Sequence, residues 1–71
     1  MSGYFEQKLE ALLAERRIPG TLKYSNKYPL GWMLVSPMGD GKHMDRLGFN
    51  YFQAKEFIES GTMDFLAAGA K

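Results

Sequence analysis

The 71 residues include no cysteine, which excludes disulfides and thiolate metal sites. A domain without such cross-links depends on its hydrophobic core for stability. That core is small, because a chain this short buries only about 60% of the surface that its unfolded form exposes. No apolar run approaches the ~20 residues that a membrane span needs. The N-terminus lacks the basic-then-apolar order of a signal peptide. We therefore expect a cytoplasmic protein that does not insert into membranes.

A large excess of charge is also missing, since the formal net charge is +1. Dedicated nucleic-acid binders usually carry more basic excess. The charges are nevertheless unevenly spread, because residues 16–46 hold six Lys and Arg against two Asp, and the flanking segments are acidic. A hydrophobic content of 45% and an aromatic content of 14% indicate one folded domain over residues 1–71.

The middle of the chain predicts a three-stranded antiparallel meander. Alternation with a period of two marks the outer strands, whereas the central strand is apolar on both alternating sets. Met38-Gly39-Asp40-Gly41 predicts a tight hairpin, with positive φ at Asp40 and Gly41. Pro37 predicts the end of the central strand, because proline cannot donate to a ladder. The predicted strands are 20–25, 30–36 and 42–49.

Helical patterns flank the meander on both sides. The first covers 4–17, where apolar residues recur at i, i+4, i+7 and i+8 from Phe5. The second covers 51–59 and begins with Asn50 and Gln53 as a capping pair. A short helix is expected over 63–68. The fold class that follows is α+β, in the order α-β-β-β-α, with both helices packed on one face of the sheet.

The two faces of this sheet would differ in chemistry. If the helices cover the face with Leu22, Tyr24, Met33, Val35, Leu47 and Phe49, the open face carries the candidate partner-binding residues. A tryptophan among lysines and arginines could anchor a partner's side chain or stack a base. The alternative is that Trp32 belongs to the core, because tryptophans are highly buried on average. The candidate residues are Trp32, Leu34, Met44, Lys23, Lys42 and Arg46.

Three further groups could carry chemistry. His43 and Asp45 have the spacing of a base and its orienter, or of two metal ligands, but catalysis would need a nucleophile and zinc would need further ligands. Arg16, Arg17 and Lys27 could form a phosphate-contacting ridge, the alternative being a solvated helix end. The glycines around Asp40 lack P-loop spacing. We therefore predict no catalytic site, no cofactor and no metal.

The order of helix, three strands and helix is similar to that of double-stranded-RNA-binding domains. In that family a lysine-rich run opens the second helix, whereas here Asn50 to Lys55 holds a single lysine and two aromatics. The family's Gly-Pro-x-His loop lies between the first two strands, whereas Gly41-Lys42-His43 lies between the second and third. The resemblance therefore implies the topology alone, and RNA binding by that family's mode is disfavoured.

These features favour a small non-enzymatic interaction or regulatory protein, of the inhibitor or adaptor type, that docks on a protein through the open sheet face. Its size and lack of motif suggest a phage or mobile element as the source. The alternative is a nucleic-acid-binding module that uses the same basic face. A homodimer is also open, because a domain with so little core can depend on a partner.

Overall fold

The computed structural model describes residues 3–28 and 30–67. It confirms the α+β class and the order α-β-β-β-α, with the helices contacting a three-stranded antiparallel sheet. In place of the short helix expected over 63–68, the structure has a single 3-10 turn. The last position of that predicted helix, residue 68, lies outside the described residues. The elements are α1 (Tyr4–Glu15), β1 (Thr21–Ser25), β2 (Gly31–Met38), β3 (Gly41–Gly48), α2 (Tyr51–Glu59) and the 3-10 turn η1 (Asp64–Leu66).

The pairing of β1 with β2 decides which face of the central strand is covered. Leu22 lies opposite Leu34, and Tyr24 lies opposite Trp32, so these four side chains share one face. The helices cover that face, since Trp32 is only 8% exposed and Leu34 only 1%. The prediction that Trp32 and Leu34 lie on the open face is therefore wrong. Because both alternating sets of side chains on β2 are apolar, the sequence of this strand alone does not predict which set is buried.

A β-bulge interrupts the pairing of β2 with β3. Trp32 pairs with Gly48 and Met33 pairs with Arg46, which leaves Leu47 as an extra residue on β3. Leu47 is buried on the helix-covered side. Phe49 follows the end of β3 and is 57% exposed, so the prediction that it faces inward with Leu47 is wrong. The bulge changes the direction in which the chain leaves the sheet.

The predicted hairpin between β2 and β3 is confirmed, but its turn differs in detail. Met38 pairs with Gly41, so Gly39 and Asp40 are the central residues. Gly39 has a φ of +57° and Asp40 has no positive φ, which matches a type II′ turn and not the type I′ turn expected from Asp-Gly. β2 also continues through Pro37. Its last pair with β1 is at Val35, so Pro37 has only β3 beside it.

The core lies between the helices and the covered face of the sheet. Leu9 and Leu13 of α1 meet Ala54 and Ile58 of α2, in agreement with the apolar spacing of both helices. Ser36 is also buried, and its hydroxyl donates to the Pro19 carbonyl over 2.8 Å. The buried apolar side chains are those of Leu9, Leu13, Ile18, Leu22, Trp32, Leu34, Leu47, Ala54, Ile58 and Met63.

α1 ends in a Schellman motif, two residues before the end that its pattern predicts. The Ile18 N–H donates to the Leu13 carbonyl over 2.9 Å, and the Arg17 N–H donates to the Ala14 carbonyl over 3.0 Å. Arg17 occupies the left-handed position with a φ of +60°, where glycine is the usual residue. The motif turns the chain towards β1 and lets Ile18 enter the core.

Candidate functional site

The structure separates the residues that the sequence groups into one docking surface. The pairing places Lys23 beside Met33, Met33 beside Arg46, and Val35 beside Met44 on the open face. Lys42 pairs with Pro37 farther along the same face. Trp32 and Leu34, two of the candidate partner-binding residues, are buried in the core between the sheet and the helices. Partner binding by the other four residues, Lys23, Lys42, Met44 and Arg46, stays a prediction.

The open sheet face, defined by Thr21, Lys23, Met33, Val35, Lys42, Met44 and Arg46, has aliphatic and basic side chains. Among its strand residues there is no aromatic ring on which a base could stack. The Arg46 guanidinium is already engaged, because it donates to the Leu30 carbonyl over 2.6 Å and lies 4.3 Å from the centre of the Phe49 ring. The strand residues of this face therefore offer charge without an aromatic ring, and the nearest ring, that of Phe49, is in contact with Arg46.

The proposed phosphate-contacting residues do not form one ridge. The Arg16 guanidinium donates to Asp64 over 3.1 Å and to the Glu59 carbonyl over 3.3 Å, which ties α1 to the end of α2 and to η1. Arg17 and Lys27 are exposed, but they lie beyond opposite ends of β1, a strand of five residues that spans roughly 17 Å. Their contact with phosphate stays untested.

His43 and Asp45 do form a pair, with 2.9 Å between Nε2 of the histidine and a carboxylate oxygen. Both residues are half-buried. The His43 ring also meets the Phe65 ring edge-on, at 5.4 Å between centroids. Within the described part of the chain, no three His, Cys, Asp or Glu residues converge as metal ligands would. The contacts of the pair join β3 to η1, which is a structural role.

Exposed aromatic rings gather at the opposite end of the domain from the hairpin. Tyr24 and Phe49 are each more than half exposed, and Tyr4 and Phe52 about two-thirds exposed. They come from the beginning of α1, the end of β1, the link between β3 and α2, and the beginning of α2. Three of them, Tyr4, Tyr24 and Phe49, line an open cavity of about 430 Å³, and Phe52 lies beside Tyr51 of the same lining. This aromatic pocket is lined by Gly3, Tyr4, Phe5, Glu6, Tyr24, Trp32, Phe49, Asn50 and Tyr51.

Contacts between rings hold the aromatic pocket together. Phe5 of α1 stacks on Tyr51 of α2 with 4.8 Å between centroids and 22° between planes. Tyr24 of β1 meets Trp32 of β2 edge-on at 4.9 Å. Aromatic pairs in these arrangements each contribute about 0.5–1.5 kcal/mol beyond the area that they bury. The pocket is therefore a packed feature of the fold and not a set of loose side chains.

The capping of α2 fixes one side of the aromatic pocket. The Asn50 side chain accepts from the Gln53 N–H over 2.9 Å, which confirms the predicted cap. The Gln53 side chain accepts from the Phe49 N–H over 2.7 Å, one residue before the partner that a capping box would use. These two bonds set the backbone on both sides of Asn50. They thereby orient Phe49 and Tyr51 towards the cavity.

Two glycines let the strands approach each other beside the pocket. Gly31 has a φ of +110°, and a Cβ there would meet the Gly48 carbonyl oxygen and come within 2.8 Å of the Phe49 Cα. Only glycine accommodates both the conformation and the contact. This close approach places the beginning of β2 against the end of β3. It brings Trp32 and Phe49, neighbours of the two glycines, into one lining.

Charge is sparse in the pocket and present at its rim. Among the described lining residues, Glu6 is the one that carries a charge. The Lys8 ammonium lies 5.1 Å from the centre of the Tyr4 ring and donates to the Tyr4 hydroxyl over 3.3 Å. This hydrogen bond, followed by the charge interactions with Tyr4 and Tyr51, raises the pKa of Lys8 from its ordinary value of 10.5.

Sequence reasoning missed this pocket because it assigned its aromatic residues to the core. Phe5, Tyr24, Phe49 and Tyr51 all fit the apolar periods of their elements. Their positions at element ends were the available signal, since the core of a small domain cannot cover both the middle and the end of each element. Three aromatics among the four residues 49–52 mark the same place.

Searches of protein-family models, curated proteins and solved structures found no match to this chain. The likeness to double-stranded-RNA-binding domains is thus one of element order alone. None of the described helices has both the length and the apolar character needed to cross a bilayer. The aromatic pocket and the open sheet face are the two surfaces from which a function must be argued.

Proposed function

We propose that this chain is a non-enzymatic docking protein that binds a protein partner through the aromatic pocket. The observation that carries the proposal is the concentration of six aromatic residues around one cavity, several of them largely exposed. Tyrosine, tryptophan and phenylalanine are enriched at protein interfaces and dominate their hot spots. Exposed apolar surface of this kind on a small domain marks an interaction site.

The size of the domain suits this role. A standard interface covers about 800 Å² on each partner, roughly a sixth of the 5038 Å² that the chain exposes. The pocket end, together with the exposed Phe52 ring beside it, can supply a compact footprint of rigid rings. Rings held by stacking lose little conformational freedom on binding, which favours affinity.

The inhibitor or adaptor role stays a prediction, as does the cytoplasmic location. A homodimer through the pocket is an alternative occupant. Analytical ultracentrifugation over a range of concentrations would detect it, because a self-association constant appears as a concentration-dependent sedimentation coefficient.

The test compares capture of partners by matched variants. In the first, Tyr24→Ser and Phe52→Ser remove two exposed rings at the pocket end. In the second, Met44→Ser and Tyr28→Ser remove two exposed apolar side chains elsewhere. We expect the first variant to lose a partner that the wild type and the second variant retain, because hot-spot rings cost roughly 2 kcal/mol or more on truncation.

The captured protein is then purified and titrated against all three forms by calorimetry, with circular dichroism as the check on folding. Retention of the partner by a folded first variant would contradict the proposal. Equal loss in both folded variants would show that the interface is not confined to the pocket end of the domain.

A nucleic-acid-binding module is the second candidate, favoured by the shared position of Lys23, Lys42 and Arg46 on the open sheet face. Binding there would rest on phosphate contacts and would weaken steeply with salt. Titration of single-stranded and double-stranded oligonucleotides at low and high salt tests it. Lys23→Gln with Lys42→Gln should then reduce the salt slope, whereas the variant at Tyr24 and Phe52 should leave it unchanged.

A further inference from the structure

The outer edge of β1 borders the open sheet face and is a strand edge to which a further strand can add. We propose that it receives an extended segment of a partner protein, in which acidic side chains alternate with apolar ones. This inference goes beyond the proposed function and does not rest on it, because it concerns the backbone and the cations of β1 and not the rings of the pocket. It is carried by unpaired backbone groups, by charge and by the groove beside the strand.

The backbone of β1 is paired on one side. The sheet has the order β1-β2-β3, and all five residues of β1 pair with β2, from Thr21 with Val35 to Ser25 with Gly31. Beyond this ladder, none of residues 21–25 exchanges a backbone–backbone hydrogen bond with another described residue. Every second residue of such an edge strand directs its N–H and C=O away from the sheet, and these groups are a template for an added strand.

The opposite edge of the sheet, on β3, has features that discourage such pairing. The bulge at Leu47 distorts the strand, and the pair of His43 and Asp45 places polar groups on its helix-covered side. Bulges and inward-pointing charged side chains are two of the devices by which edge strands avoid added strands. In its five described residues β1 has neither, because its register with β2 is regular and its inward side chains are Leu22 and Tyr24. We therefore expect a strand to add at β1.

Charge decides which kind of strand this edge accepts. Between Arg16 and Gly39 the sequence has lysine and arginine but no aspartate or glutamate. The exposed residues Arg17, Lys23 and Lys27 lie before, within and after β1. Within the described part of the chain, their charged groups have no ion pair and no ring contact. Acidic side chains on an added strand are complementary to this edge, whereas basic ones are repelled.

Lys23 lies in the middle of the edge, on the open sheet face. A side chain directly opposite it on an added strand would have its Cβ about 4.5–5.5 Å away, where opposite charges stabilise the pairing and like charges destabilise it. Two copies of β1 aligned centre to centre would place one Lys23 opposite the other. This repulsion disfavours that pairing of two copies, and a partner's carboxylate is the complement that removes it.

An open groove of about 420 Å³ lies beside β1 on the helix-covered side. It is lined by the second half of α1 and by residues 18–22, with Leu13 and Leu22 buried in its floor and Glu10 exposed at its rim. Side chains of an added strand that point to this side enter the groove, where Glu10 disfavours a second carboxylate. The segment that fits therefore has acidic side chains on the open sheet face and apolar side chains on the helix-covered side.

The test uses a synthetic strand, acetyl-Thr-Val-Glu-Val-Glu-Val-Thr-amide, whose two glutamates share one face. One control peptide has glutamine in both places and another has lysine. A third keeps the sequence but is N-methylated at two consecutive central residues, which removes one N–H from each edge of the peptide and leaves its charge unchanged. Amide chemical shifts and hydrogen exchange of the isotope-labelled full chain report the binding.

We expect the glutamate peptide to shift the amide resonances of residues 21–25, to slow hydrogen exchange there, and to leave exchange in β3 unchanged. It should bind roughly two- to tenfold more tightly than the glutamine peptide, and the lysine peptide should bind most weakly of these three. The N-methylated peptide should bind roughly tenfold or more weakly than its parent, because main-chain hydrogen bonds supply much of the affinity of an added strand.

A matched pair of variants locates the charge contact. Lys23→Gln should weaken the glutamate peptide by roughly two- to fivefold and leave the glutamine peptide unchanged, whereas Lys55→Gln removes the same charge from α2 and should change neither. Lys23→Glu should bind the lysine peptide more tightly than the wild type does. Because Lys23 is exposed and the Lys55 side chain is 44% exposed, these variants should stay folded, which circular dichroism checks.

Equal binding of the glutamate and glutamine peptides, equal binding of the N-methylated peptide and its parent, or no binding at all would overturn the inference. So would an equal response of residues 21–25 to single-stranded oligothymidylate, since a polyanion needs no strand edge. Protection of these residues that grows with the concentration of the chain alone would assign the edge to a second copy and likewise overturn the proposal.

Failure of this inference is distinguishable from failure of the proposed function, because the two use different residues and readouts. If partner capture depends on Tyr24 and Phe52 while no peptide binds at residues 21–25, the pocket proposal stands and the strand edge is unused. If the glutamate peptide binds as expected while capture is unaffected by the two ring substitutions, the edge stands and the pocket proposal is wrong.

Discussion

The aromatic pocket and the open sheet face share strands β1 and β2, yet they differ in almost every physical property. The pocket is concave, and its rings come from both helices and two strands and are fixed by stacking. The open face is formed by the sheet alone and carries aliphatic and basic side chains. Trp32 belongs to the first surface and its neighbour Met33 to the second. A shift of one residue in the alternation of β2 therefore moves a candidate site to the other side of the molecule.

The largest expected effect concerns the residue that separates the two surfaces. Trp32→Ala should lower the free energy of unfolding by about 3–5 kcal/mol, because it empties a large part of the core beneath the pocket. A domain of this size has roughly 4–10 kcal/mol in total, so the variant should be largely unfolded or close to it. Urea denaturation followed by circular dichroism measures the change.

Trp32→Phe is the matched control and should retain a cooperative transition, because an aromatic ring still fills most of the site. A Trp32→Ala protein as stable as the wild type would break the comparison, since it would mean that Trp32 is not a core residue.

The next effect tests the strand approach beside the pocket. Gly31→Ala should destabilise the fold by roughly 2 kcal/mol or more, because its Cβ would collide with the Gly48 carbonyl at a φ of +110°. Gly41→Ala is the control in the same sheet, since its Cβ meets nothing closer than 4.0 Å. Thermal unfolding of both variants checks the difference. Equal stability of the two would show that the close approach at Gly31 is dispensable.

A smaller effect, of opposite sign, is expected at the end of α1. Arg17→Gly should stabilise the protein by about 0.5–1 kcal/mol, because glycine adopts the left-handed conformation without the cost that arginine incurs. Glu15→Gly, two residues earlier in the helix, should instead destabilise it by about 1 kcal/mol. Parallel urea titrations compare the two.

Arg17 lies outside both surfaces. The stabilised variant therefore provides a background in which rings of the pocket can be removed without unfolding the domain, so that the two surfaces can be compared in folded proteins. A loss of stability in Arg17→Gly would show that the arginine side chain makes a contact that outweighs the backbone strain.

The smallest effect is expected on the open sheet face. Met44→Ala should change the free energy of unfolding by no more than about 0.5 kcal/mol, because the side chain is 60% exposed. It should also leave capture of the partner protein unaltered. Urea denaturation and partner capture with the same variant measure both effects. A loss of partner capture would link the two surfaces and remove the distinction between them.

The sequence was sufficient for the order of elements and for the hairpin, because glycine and proline positions and apolar periods are local signals. Asn50 likewise predicted the beginning of α2. These local signals did not predict the candidate site. In β2 both Trp32 and Met33 lie on apolar sets, and only the pairing of Leu22 with Leu34 chooses between them. That pairing is a tertiary contact, which periodicity within one strand does not contain.

The pocket itself was hidden for a related reason. Phe5 and Tyr51 are separated by most of the chain, and each fits an apolar stripe of its own helix. That the two rings stack at the end of the domain depends on how the helices pack. Periodicity predicted which side of each helix is buried, but not the point along the helix at which the sheet no longer covers it.

The pocket lining comes from segments that lie far apart in the sequence, and this ties ligand occupancy to the folding equilibrium. Residues 3–6 and 49–51 come together only when α1 is docked, so an unfolded chain has no such cavity, and any true occupant draws the population towards the native state. At a hundred times its dissociation constant an occupant adds about 2.7 kcal/mol. In a domain of this size that would raise the melting temperature by roughly 10–20 °C. A melting-temperature screen of peptides could therefore find the occupant before its name is known.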